Sequence, residues 1–147
     1  MNISAAKASI GKEQGNSELC GKVLDFVEIF DRVVRKAKQP GFTVADWAPL
    51  AELVAVDEFE RVGHMMEVMK WQEYTRFVTQ FATSLSWEGI FRRVQERAGV
   101  VYLELIERCA IGERVDVANT MTVYKFNAAG KLCHLDVYLQ HKPVQAA

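Results

Sequence analysis

Apolar residues recur at helical spacing over residues 19–37 and again over residues 71–85, which predicts two amphipathic helices. Asn16 or Ser17 can cap the start of the first helix through a side-chain oxygen. A shorter helix is predicted at residues 44–54, where a capping residue comes just before an apolar stripe. The first part of the chain is therefore expected to be mainly helical.

Apolar and polar residues alternate in most of the remaining chain, as they do in half-buried strands. One short strand is predicted at residues 57–64, followed by a methionine-rich segment that leads into the helix at 71–85. Four longer strands are predicted at residues 87–97, 100–111, 114–126 and 131–140. Their connections are short and contain glycine, so successive strands should pair antiparallel as a meander. Helices followed by such a sheet predict an α+β fold with the helices packed on one face.

The composition favours a single globular domain of ordinary size. The chain has 147 residues, of which 50% are hydrophobic and 25% charged, so it can bury one core. Its formal net charge is −1, whereas nucleic-acid-binding domains usually carry a basic excess. No apolar run approaches the ~20 residues that cross a bilayer. We therefore expect neither nucleic acid nor a membrane among the partners.

The two ends of the chain are expected to lie outside the domain, which is assigned to residues 18–141. Residues 1–17 are small and polar and lack the apolar stretch of a signal peptide, so we expect a disordered tail there and a short tail at residues 142–147. The three cysteines lack disulfide or metal-binding spacing, which favours free thiols and a cytoplasmic location. The sequence contains no cofactor motif, so neither a cofactor nor a metal is expected.

One acidic residue stands in an otherwise apolar row of the predicted sheet. Alternation places Val101, Leu103, Leu105, Glu107 and Cys109 on the same face of one strand. Because an unpaired carboxylate is costly to bury, Glu107 is a candidate general base or ligand-orienting group. The alternative is that Glu107 lies at the rim of the sheet, where it is solvated or paired with an arginine.

The other candidate residues can also be explained by structural roles. Glu60, Val62 and His64 share a face of the first predicted strand, and a glutamate and histidine together could perform acid–base chemistry. A strand-end histidine and an edge glutamate in water would give the same pattern. Aromatic residues such as Trp47 and Tyr74 could line a cavity or simply fill the core.

The order of the predicted elements is helix, helix, strand, helix and four-strand meander, and it resembles the nuclear transport factor 2-like superfamily. Two stretches carry the resemblance: WAPLAELVAVDEFERVG at residues 47–63 and VANTMTVYKFNAAGKLCHLDVYLQ at residues 117–140. The ending HLDVYLQ is most similar to the SnoaL-like subgroup. The resemblance implies a cystatin-like fold, in which a cone-shaped, curved antiparallel sheet packs on three helices and leaves a conical cavity.

The resemblance also implies a homodimer, because related folds commonly pair through the outer face of the sheet. In this chain that face carries Tyr102, Ile106, His134 and Tyr138. Such a mixture of aromatic, apolar and charged groups is typical of protein interfaces.

The catalytic residues of ketosteroid isomerase, one member of the superfamily, are absent at the corresponding positions. Its strand aspartate corresponds to Val62, and its two oxyanion donors correspond to Phe26 and Thr122. The resemblance therefore implies no isomerase chemistry of that type.

The catalytic set of limonene epoxide hydrolase, another member, is retained only at Glu107, which matches its first aspartate. Its arginine and second aspartate correspond to Leu105 and Val137, and its tyrosine and asparagine to Glu60 and Val62. Glu107 is thus the one acidic position that both the residue pattern and the resemblance single out.

Two functions are compatible with this sequence. In the first, a small apolar molecule binds in the cavity, with isomerase, cyclase or hydrolase activity through Glu107 and with His64 and Glu60 as further catalytic candidates. The residues expected to contact the ligand are Phe26, Phe30, Trp47, Val62, Tyr74, Phe81, Leu105, Thr122 and Val137. In the second, the chain is a non-catalytic interaction module whose cavity is filled by its own aromatic residues. An open cavity of about 300 Å³ or more with Glu107 on its wall favours the first.

Overall fold

A computed structural model describes residues 1–10 and 17–142 of the chain. Its helices are α1 (Ile3–Ile10), α2 (Glu18–Lys36), a 3-10 helix (Val44–Trp47) that continues into α3 (Ala48–Ala51), and α4 (Trp71–Ser84). Its strands are β1 (Glu60–Val62), β2 (Val68–Lys70), β3 (Ser86–Arg97), β4 (Val100–Ile111), β5 (Arg114–Phe126) and β6 (Leu132–His141). They form one curved, open sheet in the order β2-β1-β6-β5-β4-β3.

The predicted meander of four long strands is confirmed, and each strand begins and ends within one residue of its predicted bounds. Ala98 and Gly99 in the β3–β4 turn both have positive φ, 51° and 79°, as a two-residue turn between twisted strands requires. Strand β1 differs, because it pairs parallel to β6, with Arg61 opposite Leu135. The sheet is therefore mixed, whereas the prediction was a purely antiparallel one.

Helix α2 packs its apolar stripe against the sheet, as the helical spacing predicts. Ser17 is the N-cap, and its hydroxyl oxygen accepts a hydrogen bond from the Cys20 amide at 3.1 Å. Asn16, the other capping candidate, lies outside the described residues. Val23 and Leu24 are almost fully buried, so the helix is held mainly by its contact with the sheet.

The beginning of the chain differs from the expected disordered tail. Residues 3–10 form helix α1, and Ile3 and Ala6 are buried where α1 packs on α2. The amide of Phe91 in β3 also donates to the Met1 carbonyl at 2.9 Å. Two buried residues at helical spacing are too weak a signal to stand out in a polar segment. The rest of the predicted tail, residues 11–16, and residues 143–147 of the short tail at the other end lie outside the described part of the chain.

The predicted helix at residues 44–54 is present as two shorter pieces, the 3-10 helix and α3. Its N-cap is Thr43, whose hydroxyl accepts from the Ala45 amide at 3.3 Å, while the Asp46 carboxylate accepts from the Thr43 amide at 2.8 Å. This reciprocal pair fixes the start of the segment.

The hairpin of β1 and β2 is the part of the sheet that the pattern describes least well. Strand β1 is shorter than the predicted strand at 57–64, because the chain turns just before it and the Glu58 amide donates to the Ala55 carbonyl at 3.0 Å. The methionine-rich segment expected to lead directly into a helix contains strand β2, which pairs antiparallel with β1.

Candidate ligand-binding cavity

A cavity of about 390 Å³ lies between helices α2 and α4 and the inner face of the sheet. Most of its wall is apolar and aromatic. The predicted ligand contacts found on this wall are Phe26, Phe30, Tyr74, Phe81, Leu105, Thr122 and Val137. Glu107 and His64, two of the three predicted catalytic residues, also line it. The cavity thus has the apolar surface and the few polar groups that small-molecule sites usually combine.

Glu107 is held on the cavity wall by a tryptophan from the neighbouring strand. The indole Nε1 of Trp87 donates a hydrogen bond to Glu107 Oε1 at 2.6 Å. Across the β3–β4 pair, Glu107 stands directly opposite Gly89, and Trp87 is its diagonal neighbour. A donor at this distance stabilises the charged carboxylate in an otherwise apolar wall.

Arg61 brings a positive charge to the same cavity from strand β1. Its side chain is 13% exposed, and its guanidinium carbon lies 5.2 Å from the centre of the Phe77 ring. Its Nη1 atom is buried and makes no hydrogen bond within the described residues, although Glu67 Oε1 is 3.6 Å away. The cation is therefore partly balanced in charge, but one of its nitrogens is unsatisfied.

The loop between β1 and β2 holds Glu67 beside Arg61. The Glu67 carboxylate accepts from the Met65 amide at 2.9 Å and lies over Gly63, where a Cβ atom would stand 1.7 Å from Glu67 Oε1. Hydrogen bonding to its own backbone amide, and secondarily to that of Met65, keeps the pKa of Glu67 below its usual value despite some desolvation. A glycine is needed at residue 63 for this arrangement.

Two buried tyrosines, Tyr74 and Tyr124, line the cavity on opposite elements, α4 and β5. Burial raises the pKa of Tyr74 to about 12; the Arg61 cation lowers that pKa and the Glu107 carboxylate raises it. Burial also raises the pKa of Tyr124. Both phenols therefore stay protonated at neutral pH and can donate hydrogen bonds.

The polar part of the cavity wall includes Cys109, Asp116 and His141, at the ends of the long strands. Burial, followed by the negative charges of Glu107 and Asp116, raises the pKa of Cys109 to about 11. A thiol with such a pKa is almost entirely protonated at neutral pH and is a poor nucleophile.

Comparison with known proteins reveals a likeness in structure rather than in sequence. No protein-family model matches the chain, and no curated protein matches it either. Among solved structures, a SnoaL-like polyketide cyclase candidate from Shewanella putrefaciens CN-32 is similar with a TM-score of 0.65, at 9% identity over 95% of this chain and 88% of that one.

An NTF2-like protein from Anabaena variabilis ATCC 29413 has a TM-score of 0.61, at 11% identity over 88% of this chain and 97% of that one. A LEH-like epoxide hydrolase from M. tuberculosis has a TM-score of 0.56, at 12% identity over 77% of this chain and 84% of that one. The chain has the nuclear transport factor 2-like fold. The fold predicted from the order of elements is thereby confirmed.

Three predicted site residues lie outside the cavity of this NTF2-like fold. Glu60 and Val62 pair with the outward-facing His134 and Asp136 of β6, so the inward position between them belongs to Arg61. Glu60 accepts from Lys70 Nζ at 3.0 Å at the surface, and the candidate Glu60–His64 pair is not formed. The prediction had the correct strand but assigned its two faces the wrong way round.

Trp47, the third of these residues, is a core residue. It is 1% exposed, its ring stacks on Phe30 with centroids 5.5 Å apart, and its Nε1 donates to Thr79 Oγ1 at 2.9 Å. It supports the cavity wall from behind and does not line it.

Arg61 is the functional candidate that the sequence pattern missed. The apolar residues Phe59 and Val62 are three positions apart, so they cannot both face inward from one strand. Phe59 decides the choice, because its ring packs 5.2 Å from Trp71 and 5.3 Å from Tyr74 in the core. Residue 61 shares the face of residue 59, and this alternation was the signal that could have identified it.

Two further properties limit the kind of site this fold offers. Within residues 1–10 and 17–142, no group of three or more histidine, cysteine, aspartate or glutamate side chains could hold a metal ion. None of the helices described above is both long and apolar enough to span a membrane.

Proposed function

We propose that the chain binds a small, mostly apolar molecule in the cavity, and that Glu107 moves a proton to or from the bound molecule. The observation that carries the proposal is the open, apolar cavity of about 390 Å³ with the Glu107 carboxylate on its wall. This volume exceeds the lower range of ligand-binding pockets, about 300 Å³. It also argues against an interaction module whose cavity is filled by its own side chains.

Glu107 is suited to proton transfer by its contacts. Oε1 is occupied by the indole N–H of Trp87, and within the described chain no hydrogen bond to Oε2 is formed. The carboxylate is thus oriented through one oxygen while the other can reach a ligand proton. Proton transfer to or from carbon or oxygen is common to isomerase, cyclase and hydrolase reactions.

The binding step is tested with a neutral, apolar fluorescent probe, N-phenyl-1-naphthylamine. We expect saturable fluorescence enhancement in the wild type and loss of that enhancement in Ala118→Phe, because Ala118 lines the cavity and a phenyl group would occupy its volume. The matched control is Ala128→Phe, in the exposed β5–β6 turn, which should bind the probe like the wild type. Equal binding by all three proteins would place the probe elsewhere and contradict the proposal.

The proton-transfer step is tested with Glu107→Gln, which keeps the shape of the side chain and removes its basicity. Once a turned-over substrate is found, this variant should bind it with nearly unchanged affinity but lose turnover by about a hundredfold or more. Unchanged turnover would mean that Glu107 has no role in the chemistry.

A further inference from the structure

We infer that the ligand of the cavity carries a carboxylate group, and that Arg61 is the residue that binds it. This inference rests on the proposed function, since it concerns the ligand of the same cavity. It assigns the polar end of the ligand to Arg61 and leaves the reacting part of the ligand at Glu107.

The first argument is the state of the Arg61 guanidinium. The group is permanently charged and has five N–H donors, yet Nη1 is buried without a hydrogen bond in the described structure. Leaving a charged donor unpaired in a buried position is costly. Nη1 itself faces Glu67 and is enclosed by protein, whereas Nη2 and Nε also make no hydrogen bond in the described structure and are not buried, so a ligand oxygen in the cavity can accept from them.

The second argument is that the neighbours of Arg61 balance its charge but do not accept hydrogen bonds from its N–H groups. The Phe77 ring, 5.2 Å from the guanidinium carbon, attracts the cation but accepts no conventional hydrogen bond. Glu67 Oε1 at 3.6 Å is beyond hydrogen-bond distance, and its carboxylate is already engaged by the Met65 amide. A carboxylate matches the N–H fork of an arginine with its two oxygens and, unlike a phosphate, adds only one charge to a mostly apolar cavity.

The third argument is the separation of the two charges. Arg61 lies on β1 and Glu107 on β4, with β6 and β5 between them. Three strand spacings amount to roughly 14 Å across the sheet, and the register places Arg61 in line with Val101, six residues along β4 from Glu107. A carboxylate at Arg61 would therefore stay apart from the Glu107 charge, while the apolar body of the ligand spans Leu135 and Val137 between them.

The cavity wall has three other charged or titratable residues, and each is less suited than Arg61 to bind a carboxylate. They are Asp116, His64 and His141. Asp116 would repel an anion, and it accepts from Arg114 at 3.3 Å. Both histidines are in exposed positions, where water competes for their hydrogen bonds.

The test compares two competitors that differ only in the charged group, octanoate and octan-1-ol, by their displacement of bound N-phenyl-1-naphthylamine. In the wild type we expect octanoate to bind about tenfold more tightly than octan-1-ol, as a charge-assisted hydrogen bond would give. In Arg61→Gln the affinity for octanoate should fall about tenfold, while that for octan-1-ol should stay within about twofold. The matched control is Arg93→Gln, whose arginine pairs with Glu104 on the outer face and should leave both affinities unchanged.

The outcomes separate this inference from the proposed function. Suppose that the neutral probe binds, but that the protein binds octanoate no more tightly than octan-1-ol, or that Arg61→Gln does not lower the affinity for octanoate. The assignment of Arg61 is then wrong, while the cavity remains a binding site. If the probe does not bind at all, the proposed function itself fails. Should Arg61→Gln not fold, Glu67→Gln supplies the complementary test, because removal of the competing carboxylate should raise octanoate affinity several-fold and leave octan-1-ol unaffected.

Discussion

The indole of Trp87 lies over the α-carbon of Gly89, two residues along the same strand. A Cβ atom on Gly89 would stand 2.6 Å from Trp87 Cη2 and 2.9 Å from Cζ2, which is closer than atoms can approach. Since Gly89 is directly opposite Glu107 in the sheet, the space above it is what allows the indole to reach across to the Glu107 carboxylate. The absence of a side chain at residue 89 therefore positions the best-supported catalytic candidate.

Gly89→Ala should displace the indole and break its hydrogen bond to Glu107. We expect a loss of about 1–3 kcal/mol in the free energy of unfolding, as for other overpacked positions, together with a shift of the Trp87 indole N–H signal in the NMR spectrum. The matched control is Gly21→Ala in helix α2, where a Cβ would meet nothing within 4 Å. That variant should be neutral or more stable by up to about 1 kcal/mol. An unmoved indole signal in Gly89→Ala would contradict the packing described.

Two replacements of Glu107 should show separately how much its hydrogen bond to Trp87 and its charge contribute to the free energy of unfolding. Glu107→Gln retains an oxygen acceptor for Trp87 Nε1, so its free energy of unfolding should stay within about 1 kcal/mol of the wild type. Glu107→Ala leaves the indole N–H of the buried Trp87 without a partner and should cost about 1–3 kcal/mol. Urea unfolding of both variants measures the difference, and equal stability would mean that the hydrogen bond contributes little.

Long, regular patterns made most of the fold predictable from the sequence. Strands β3–β6 are each ten or more residues long and bounded by turns, so their bounds and pairing followed directly. Glu107 was found because it breaks an apolar row. By contrast, β1 has three residues, and a pattern of that length fits either face, which is why Val62 was expected inside and Arg61 was missed. The Trp87–Glu107 bond depends on contact across two strands and on Gly89, which no single-strand pattern contains.

The stability of the β1–β2 loop should depend on pH through Glu67. The folded-state pKa of Glu67 lies below its ordinary value of 4.5, so the unfolded chain takes up this proton first as the pH falls. Its contribution to stability is therefore fully present above about pH 4.5 and is lost on acidification through the lower, folded-state pKa. Urea unfolding from pH 6 to about pH 3 should show a shallower acid decline in Glu67→Gln than in the wild type. Identical declines would mean that the loop carboxylate is not stabilised by its backbone contacts.

Cys109 should react slowly with alkylating reagents in the folded protein. Its pKa is raised from 9.0 to about 11, so its thiolate fraction near neutral pH is about a hundredfold lower than in the unfolded chain. Iodoacetamide labelling followed by mass spectrometry should give a rate for Cys109 slower by at least this factor in native buffer than in urea. Labelling at the unfolded rate would instead indicate an activated thiol and reopen nucleophilic catalysis as a role for Cys109.

The outer face of the sheet is predicted to form a homodimer interface. Tyr138 and Tyr102 are 59% and 39% exposed there, a large aromatic surface for a monomer to leave in water. They lie among charges of both signs, including the Arg93–Glu104 pair, so two copies related by a twofold axis can complement each other. Sedimentation should give about twice the chain mass of 16.6 kDa, and Tyr138→Glu should shift the protein toward the monomer. Val44→Glu, at an exposed valine in the 3-10 helix and away from the outer face of the sheet, is the matched control and should remain dimeric. A wild-type monomer at high micromolar concentration would contradict the prediction, since mass action favours the dimer most strongly there.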